Sequence, residues 1–368
     1  MSKRKLLMIP GPIEFDPTVM QQMSTPTPSH VAPGFISSYA NVLNMMKEVW
    51  QAPTGQPFVV AGSGTLAMDM AACNMLEKGD NALVLSTGYF GERYVELLKR
   101  YGANVIVLKA ETGNVVPLEM VRKELSSRNY KLITMTHVDT STGVLVDPRP
   151  IAKLAKEFEV VSILDGVCSV AGEEIAQEEW GLDIVITASQ KAIGVPPGLA
   201  LCMVSKSAID IWNRRSSPVA NYYCDWSNWL PIMQAYEDGR PSYFATPPVN
   251  LIMALETSLR LILAEGMDNR IERHRSLAAK FREAMMQLGL GVIPCCDEVA
   301  ANTLTAPYYP DGVEVSRFLS GVADAGVIVA GGLLPELKAK YFRVGHMGIV
   351  RSEDVDSTIG AIRTALGK

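Results

Sequence analysis

The chain has 368 residues, of which 48% are hydrophobic and 20% are charged, and this composition excludes disordered, fibrous and small disulfide-rich proteins. The 34 basic and 39 acidic residues give a formal net charge of −5, and the basic residues are scattered, so we expect neither a nucleic-acid nor a membrane partner. At about 100 to 200 residues per domain, this length predicts about two domains.

The first two-thirds of the chain predict an α/β fold, because short apolar runs alternate with amphipathic helical patterns. Most runs are continuously apolar, as in strands that are buried on both faces of a parallel sheet. Seven strands are predicted at 57–60, 82–86, 104–108, 131–136, 160–164, 183–188 and 199–204. Helices on both faces are predicted at 66–76, 93–101, 118–126 and 150–158. The link 189–198 is too short for a helical crossover, so we expect the seventh strand to run antiparallel to its neighbour.

The pattern changes near residue 250 and predicts a second domain of α+β type. Two long helices are predicted at 251–264 and 268–288. Shorter strands follow at 302–307, 327–330 and 341–344, with helices at 313–325 and 353–366. We therefore predict an N-terminal arm (1–20), a large domain (21–265) and a small C-terminal domain (266–368).

Cysteine usage and apolar segments predict a cytoplasmic protein. The six cysteines form no C-x-x-C pair, which is typical of reduced thiols, and the four histidines lack the spacing of metal ligands, so we expect no metal. The apolar run 6–9 is stopped at once by Pro10, unlike the core of a secretory signal. The longest charge-free stretch, 17–46, contains four prolines and cannot form a membrane helix.

A glycine-rich turn follows the first predicted strand, at Gly62, Ser63, Gly64 and Thr65. A strand that passes through such a turn into a helix points free N–H groups and the positive end of the helix dipole at one spot, which suits a phosphate. The segment lacks the third glycine of a dinucleotide fingerprint and the lysine of a P-loop. Taken alone, it is better explained as an ordinary tight turn.

Asp165 and Lys191 follow two neighbouring predicted strands. In parallel sheets of this type ligands bind beyond the carboxyl ends of the strands, so both side chains should reach one crevice. Adjacent strands lie about 4.8 Å apart, which allows the two groups to sit on either side of an aromatic ring. For either residue alone, a buried ion pair or a solvated lysine is the better explanation.

Together these parts are what a pyridoxal phosphate enzyme requires. The turn would hold the phosphate, Asp165 would keep the pyridine nitrogen protonated, and Lys191 would form the Schiff base and then move protons. The segment 87–91, which contains Tyr89 and Phe90, offers an aromatic face to the ring. Arg343, in a strand-like run, would bind a substrate carboxylate through two parallel hydrogen bonds. Without the other parts, the aromatic residues of 87–91 are explained about equally well as core residues, and Arg343 as part of a structural salt bridge.

The sequence resembles the class V aminotransferases of pyridoxal phosphate fold type I, and within them the alanine–glyoxylate and serine–pyruvate aminotransferases. The similar segments occur in order along nearly the whole chain: 10–12, 63–65, 137–143, 165, 189–191, 243–248 and 342–345. Two positions depart from many relatives, because Phe90 stands where they carry tryptophan and Thr65 stands where some carry histidine.

The resemblance implies roles for further residues. Thr140 and Gln190 would lie beside the cofactor, and Gly11 on the substrate side. Tyr243 and Thr246 would complete the phosphate site of the neighbouring subunit, which implies a homodimer with shared active sites. The implied reaction moves an amino group from alanine or serine to glyoxylate or pyruvate by a ping-pong scheme.

Several alternatives stay open at this stage. A 2-aminoethylphosphonate or ureidoglycine aminotransferase, or a lyase similar to cysteine desulfurases, would use the same chemistry, and a nicotinamide-dependent oxidoreductase or a non-catalytic binding protein would share the fold. Cys295 and Cys296 resemble the mobile cysteine of sulfur-transferring relatives, but buried thiols explain them better. His274, beside Arg273 and Arg275, is predicted to lie on a solvated helix face.

Overall fold

A computed structural model describes residues 4–368 and contains a large α/β layer and a smaller α+β layer. Its α-helices are Pro17–Met23 (α1), Pro33–Val49 (α2), Gly64–Met75 (α3), Tyr89–Arg100 (α4), Leu118–Leu125 (α5), Pro148–Glu157 (α6), Gln177–Trp180 (α7), Lys206–Asn213 (α8), Trp226–Glu237 (α9), Val249–Glu265 (α10), Met267–Gln287 (α11), Val315–Asp324 (α12) and Ser352–Ala365 (α13). Its strands are Leu6–Leu7 (β1), Gln56–Ala61 (β2), Asn81–Ser86 (β3), Asn104–Lys109 (β4), Leu132–Thr136 (β5), Val138–Asp139 (β6), Val144–Leu145 (β7), Val161–Asp165 (β8), Ile184–Ala188 (β9), Leu199–Val204 (β10), Leu304–Thr305 (β11), Val327–Ile328 (β12), Ala330–Gly331 (β13) and Phe342–Gly345 (β14).

The predicted seven-stranded sheet is confirmed. Its strand order is β2-β10-β9-β8-β5-β3-β4, and strands β9, β8, β5, β3 and β4 are parallel. Strand β10 is antiparallel to both β2 and β9, as the short link before it predicted. The continuously apolar runs have the expected cause, because every residue of β5, β8, β9 and β10 is buried between two helical layers.

Five helices, from four to seventeen residues long, were not predicted: α1, α2, α7, α8 and α9. Helix α2 contains serine, asparagine and glycine and has weak intrinsic propensity. It forms because Phe35, Tyr39, Val42 and Met46, at helical spacing, are buried. Helix α4 also begins four residues earlier than predicted, which places Phe90 in its first turn.

The small layer is built on a three-stranded antiparallel sheet, β11-β14-β13, with α11, α12 and α13. Its own hydrophobic cluster includes Phe281, Phe318, Phe342 and Ile362, together with Met8 from the N-terminal segment. Strand β1 pairs in parallel with β12, so the chain start is joined to this layer. The domain boundaries at 20/21 and 265/266 stay predictions; residue 20 falls inside α1.

Two local expectations are wrong. His274 is fully buried rather than solvated, because α11 packs against the rest of the molecule on the side that carries this ring. Cys295 and Cys296 are exposed rather than buried. Within residues 4–368, none of the helices combines the length and the apolar character needed to cross a membrane.

Candidate active site

A cavity of about 160 Å³ opens at the carboxyl edge of the large sheet. Eight residues that the sequence singled out line it: Ser63, Gly64, Thr65, Phe90, Thr140, Asp165, Gln190 and Lys191. The other lining residues are Met68, Arg93, Thr136, Val138, Val167 and Cys168. The strand ends and the loop after β6 thus converge on one space, as the rule for open parallel sheets predicted.

The start of α3 forms one wall of the cavity. Ser63 is the N-cap residue, but its side chain caps no backbone N–H, and both Ser63 and Thr65 are exposed. A Cβ on Gly64 would come within 2.9 Å of the Val167 side chain, so glycine lets the helix start press against the turn after β8. The free N–H groups of this first turn and the unused hydroxyl of Ser63 suit an anion.

Asp165 ends β8 and is 2% exposed. One carboxylate oxygen accepts a hydrogen bond from the Val167 N–H at 3.0 Å. The pKa of Asp165 is raised from 3.8 to about 6, mainly by burial and in smaller part by Asp139, against the lowering effects of the Val167 hydrogen bond, Arg93 and Lys191. Across residues 4–368, no basic side chain forms a salt bridge with this carboxylate. The site therefore holds a buried acid that requires a cationic partner.

Lys191 lies three residues beyond the end of β9, in a turn rather than in the strand. Its Nζ donates a hydrogen bond to the Pro10 carbonyl oxygen. A Cβ on Gly11 would lie 2.6 Å from Lys191 Cδ, so the predicted Gly11 lies directly against the lysine. Burial lowers the pKa of Lys191, with Arg343 acting in the same direction and Cys168 and Asp165 opposing it. A larger share of the amine is therefore neutral than for an exposed lysine.

Asp139 fixes the position of Phe90 and was not singled out from the sequence. It is fully buried and accepts hydrogen bonds from the N–H groups of Phe90 at 3.0 Å and Gly91 at 3.4 Å. It also accepts from the Ser141 N–H and hydroxyl. This carboxylate caps the start of α4 from another loop, which no local capping pattern could indicate.

Arg93 is a second residue that the sequence analysis missed. Its guanidinium lies 4.9 Å from the centre of the Phe90 ring and donates a hydrogen bond of 3.1 Å to Thr65 Oγ1. It stands three residues after Phe90, on the same face of α4. This i, i+3 spacing from Phe90 was the feature of the sequence that could have indicated Arg93 as a site residue. Arg93 adds a cation beside the exposed start of α3.

Arg343 joins the small layer to the cavity without lining it. It lies in β14 and is partly buried, and its Nε donates to the Gly331 carbonyl oxygen at 2.9 Å. Its Nη1 donates to the Thr140 carbonyl oxygen at 3.2 Å. Tyr341 reinforces the same junction by donating to the Ser141 carbonyl oxygen at 2.6 Å. The predicted alternative of a structural salt bridge is absent for Arg343 among residues 4–368.

Tyr243 and Thr246 do not line this chain's cavity. Both are exposed, Tyr243 to 60%, and their hydroxyl oxygens lie 3.3 Å apart. The structure thus brings eight predicted residues into one cavity, places Gly11 and Arg343 next to it, and leaves these two on the surface.

Residues 23–344 match the protein family described as aminotransferase class V. The chain belongs to the class V aminotransferases. It is 39% identical to alanine–glyoxylate aminotransferase 1 of Saccharomyces cerevisiae, over 93% of this chain and 92% of that protein. The crystal structure of an alanine–glyoxylate aminotransferase from Nostoc sp. superposes with a TM-score of 0.93 at 33% identity, covering 100% of this chain and 96% of that one. That of ureidoglycine–glyoxylate aminotransferase from Bacillus subtilis gives 0.91 at 27% identity, covering 100% and 94%.

Pyridoxal 5′-phosphate is the cofactor of this class V aminotransferase, and the cavity residues fit it. When ionised, Asp165 is a buried anion that a cation would stabilise, and a protonated ring nitrogen would supply that cation. Gln190 Oε1 and Thr136 Oγ1 are buried at the cavity without a hydrogen-bond partner in the described chain. A polar ligand would satisfy such atoms. Ser63, Thr65 and the helix start provide donors for a phosphate.

Proposed function

We propose that this aminotransferase transfers the amino group of alanine or serine to glyoxylate or pyruvate. The observation that carries the proposal is the placement of Asp165 and Lys191 in one cavity, with Arg343 bound to the backbone of Thr140 beside it. The names of its relatives from yeast and Nostoc, both alanine–glyoxylate aminotransferases, support this substrate class.

Three groups of residues are proposed to bind the cofactor: one by charge, one by stacking and one through the phosphate. Asp165 would hold the ring nitrogen, Phe90 would stack on the ring, and Ser63, Gly64 and Thr65 would bind the phosphate. When bound, pyridoxal phosphate supplies an aldehyde that condenses with amines and a ring that withdraws electrons from the substrate α-carbon. Asp165 sustains that withdrawal, because its negative charge keeps the ring nitrogen protonated.

Lys191 has two proposed tasks. Its neutral amine, favoured by burial, is the nucleophile that anchors the resting enzyme. When the substrate amine takes its place, Lys191 Nζ removes the proton from the α-carbon and holds it for return. Because both halves of the reaction would use the same lysine and the same carboxylate partner, Arg343, the keto acid product must leave before the acceptor binds, so we expect ping-pong kinetics.

Arg343 is the proposed partner of the substrate α-carboxylate. Two of its N–H groups are held by the Gly331 and Thr140 carbonyl oxygens, which fixes the plane of the guanidinium. Its remaining donors stay free to bind a carboxylate in a forked geometry. Arg93, the other guanidinium at the cavity, is engaged by Thr65 and Phe90, so we propose small monocarboxylate substrates.

A lyase that carries sulfur on a cysteine is less well supported. Cys295 and Cys296, the pair considered from the sequence, do not line the cavity. Cys168 does line it but is 1% exposed, and burial raises the pKa of its thiol. A thiol in that state is a poor nucleophile.

A donor and acceptor panel tests the proposed function. The purified protein loaded with pyridoxal phosphate should absorb visible light, and alanine should bleach that absorbance with release of pyruvate. Glyoxylate should then restore the absorbance and form glycine. Bleaching by ureidoglycine or 2-aminoethylphosphonate, but not by alanine or serine, would reject the proposed substrates and retain the aminotransferase.

We further propose a homodimer in which Tyr243 and Thr246 complete the partner's phosphate site. They are exposed in one chain, while Ser63 and Thr65 are exposed at the phosphate end of the cavity. Mixing a Lys191→Ala chain with a chain that carries Tyr243→Phe and Thr246→Ala tests this. Random pairing should restore about a quarter of wild-type activity, since half of the dimers then have one intact site. No restoration would mean that each site uses one chain.

The cytoplasmic location also stays a proposal. It is supported by the absence of disulfides among the six cysteines, all of which are free thiols in the described residues.

A further inference from the structure

One buried arginine binds both loops that carry the proposed catalytic pair. Arg270, in the first turns of α11, is 5% exposed. Its Nη2 donates to the carbonyl oxygen of Ala192 at 2.7 Å, and its Nε donates to that of Ala171 at 2.8 Å. Ala192 directly follows Lys191, and Ala171 stands six residues after Asp165. A single rigid guanidinium therefore bridges the loop after β9 and the loop after β8.

The two loops are packed tightly where Arg270 joins them. Ala171 has a φ of +64°, a left-handed conformation that alanine rarely adopts and that persists only where the surroundings impose it. A Cβ on the next residue, Gly172, would lie 3.2 Å from the Cβ of Ala192. The bond from Arg270 to the Ala171 carbonyl oxygen is one of the contacts that hold this conformation.

Arg270 is itself fixed by an ion pair that continues into the small layer. Its Nη1 donates to Glu265 Oε2 at 2.7 Å, and Glu265 also binds Arg273 at 2.6 Å. Arg273 then donates to the carbonyl oxygens of Gly348 and Val350, both at 2.9 Å. Those residues follow β14, the strand that carries Arg343.

His274 adds a neutral link to the same network. Its Nδ1 lies 2.7 Å from the Arg270 carbonyl oxygen and its Nε2 accepts the Gly348 N–H at 3.0 Å, an arrangement that requires the proton on Nδ1. Burial, then Arg270 and Arg273, keep the pKa of His274 well below its ordinary value. The ring therefore stays neutral and holds the turn after β14 against α11.

We propose that Arg270 is a positioning residue that sets the separation of Asp165 and Lys191 by clamping the Ala171 and Ala192 carbonyl groups. Through Glu265 and Arg273 the same network sets the place of Arg343 relative to that pair. A small displacement of such groups lowers the rate more than it lowers binding, because the reacting groups must be aligned. This goes beyond the proposed reaction but rests on the proposed function.

The test compares Arg270→Lys with a matched control, Arg260→Lys, in the enzyme loaded with pyridoxal phosphate. Lysine keeps the charge of Arg270 but cannot reach two carbonyl oxygens and Glu265 in one plane. Arg260 is an exposed residue of the neighbouring α10, and within residues 4–368 its side chain pairs only with Glu256. For Arg270→Lys we expect kcat to fall about tenfold or more, with the KM for alanine nearly unchanged.

A spectroscopic measurement separates positioning from stability. The visible absorbance of the lysine-bound cofactor titrates with a midpoint that depends on the charges around Lys191 Nζ. We expect Arg270→Lys to move that midpoint by about half a pH unit or more, and Arg260→Lys to leave it in place. A wild-type midpoint together with a wild-type kcat in Arg270→Lys would overturn the inference.

A second variant keeps the test decisive if Arg270→Lys fails to fold. Glu265→Gln preserves side-chain size and both carbonyl contacts but removes the counter-charge that orients Arg270 and Arg273. Glu265→Gln should change both kcat and the titration midpoint in the directions expected for Arg270→Lys, but by smaller amounts. Unchanged values of both would again overturn the inference. Failure of the proposed function is distinguishable, because the wild type itself would then show neither the visible band nor transamination.

Discussion

Replacing Asp165 with asparagine should remove a pH-dependent loss of stability from the cofactor-free protein and should lower the activity of the loaded enzyme. Burial raises the pKa of this carboxyl from 3.8 to about 6, so the folded state binds more protons than the unfolded state between those values. Stability therefore falls as the pH rises through this window and stays low above it. At about 1.4 kcal/mol per pKa unit, the total loss is about 3 kcal/mol.

About half of that loss falls in an accessible pH range. With the folded pKa about 6, the wild type should lose about 1.4 kcal/mol between pH 5 and pH 8 through this group alone. Asparagine does not titrate, and its side-chain oxygen can still accept the Val167 N–H. Its buried NH₂ group has a cost of about 1 to 3 kcal/mol, but this cost is the same at both pH values and cancels in the comparison.

Urea unfolding of the two cofactor-free proteins at pH 5 and pH 8 measures the effect. The difference in unfolding free energy between variant and wild type should be about 1.4 kcal/mol more favourable to the variant at pH 8 than at pH 5. Groups that both proteins share, such as Glu173, cancel. An equal difference at the two pH values would refute the buried, unpaired state assigned to Asp165. In the loaded enzyme, kcat should fall about 100-fold or more, because a preorganised charge is lost.

Three other substitutions have distinct expected outcomes. Lys191→Ala should reduce turnover below about a thousandth of wild type and remove the visible absorbance while circular dichroism stays unchanged; normal turnover would disprove the role of the lysine. Arg343→Lys should raise the KM of every carboxylate substrate about tenfold, and equal KM values would place the carboxylate elsewhere. Arg93→Gln should weaken cofactor binding in an equilibrium titration about tenfold, with kcat restored at saturating cofactor, and unchanged affinity would assign Arg93 to packing against Phe90 alone.

The large sheet was predictable because its strands are buried on both faces. A run such as Leu132–Thr136 does not alternate between apolar and polar residues, which is typical of a strand with helices packed on both faces. The helices that the sequence did not predict depend instead on distant packing. Helix α2 packs against α10, which lies about 200 residues further along the chain. Local helix propensity does not indicate such a distant contact.

The candidate site was predictable for the side chains that carry the chemistry and not for those that fix their positions. Asp165 and Lys191 follow strands, and the carboxyl edge of a parallel sheet brings such residues together. Asp139 precedes both of them in the sequence, and its carboxylate caps a helix that begins 50 residues earlier. Capping by a residue so far along the chain leaves no local pattern.

His274 shows why charge pattern alone misleads at a domain junction. It is flanked by Arg273 and Arg275, and a helix with such neighbours usually presents that face to water. Here Arg273 turns inward, because Glu265 and two backbone carbonyl oxygens receive its donors. Once these partners satisfy the guanidinium, burial of the neighbouring imidazole requires only that it stay neutral.

Backbone carbonyl groups explain why this part of the molecule could not be predicted. Arg270 binds the carbonyl oxygens of Ala171 and Ala192, and Arg343 binds those of Gly331 and Thr140. Every residue type provides a carbonyl oxygen, so the accepting side of such a contact has no sequence signature. The arginine is visible in the sequence, but its partners depend on the path of the loops. Where arginines bind backbone rather than carboxylates, substitution of the accepting residue should be tolerated as long as the loop conformation is kept, whereas substitution of the arginine should not be tolerated.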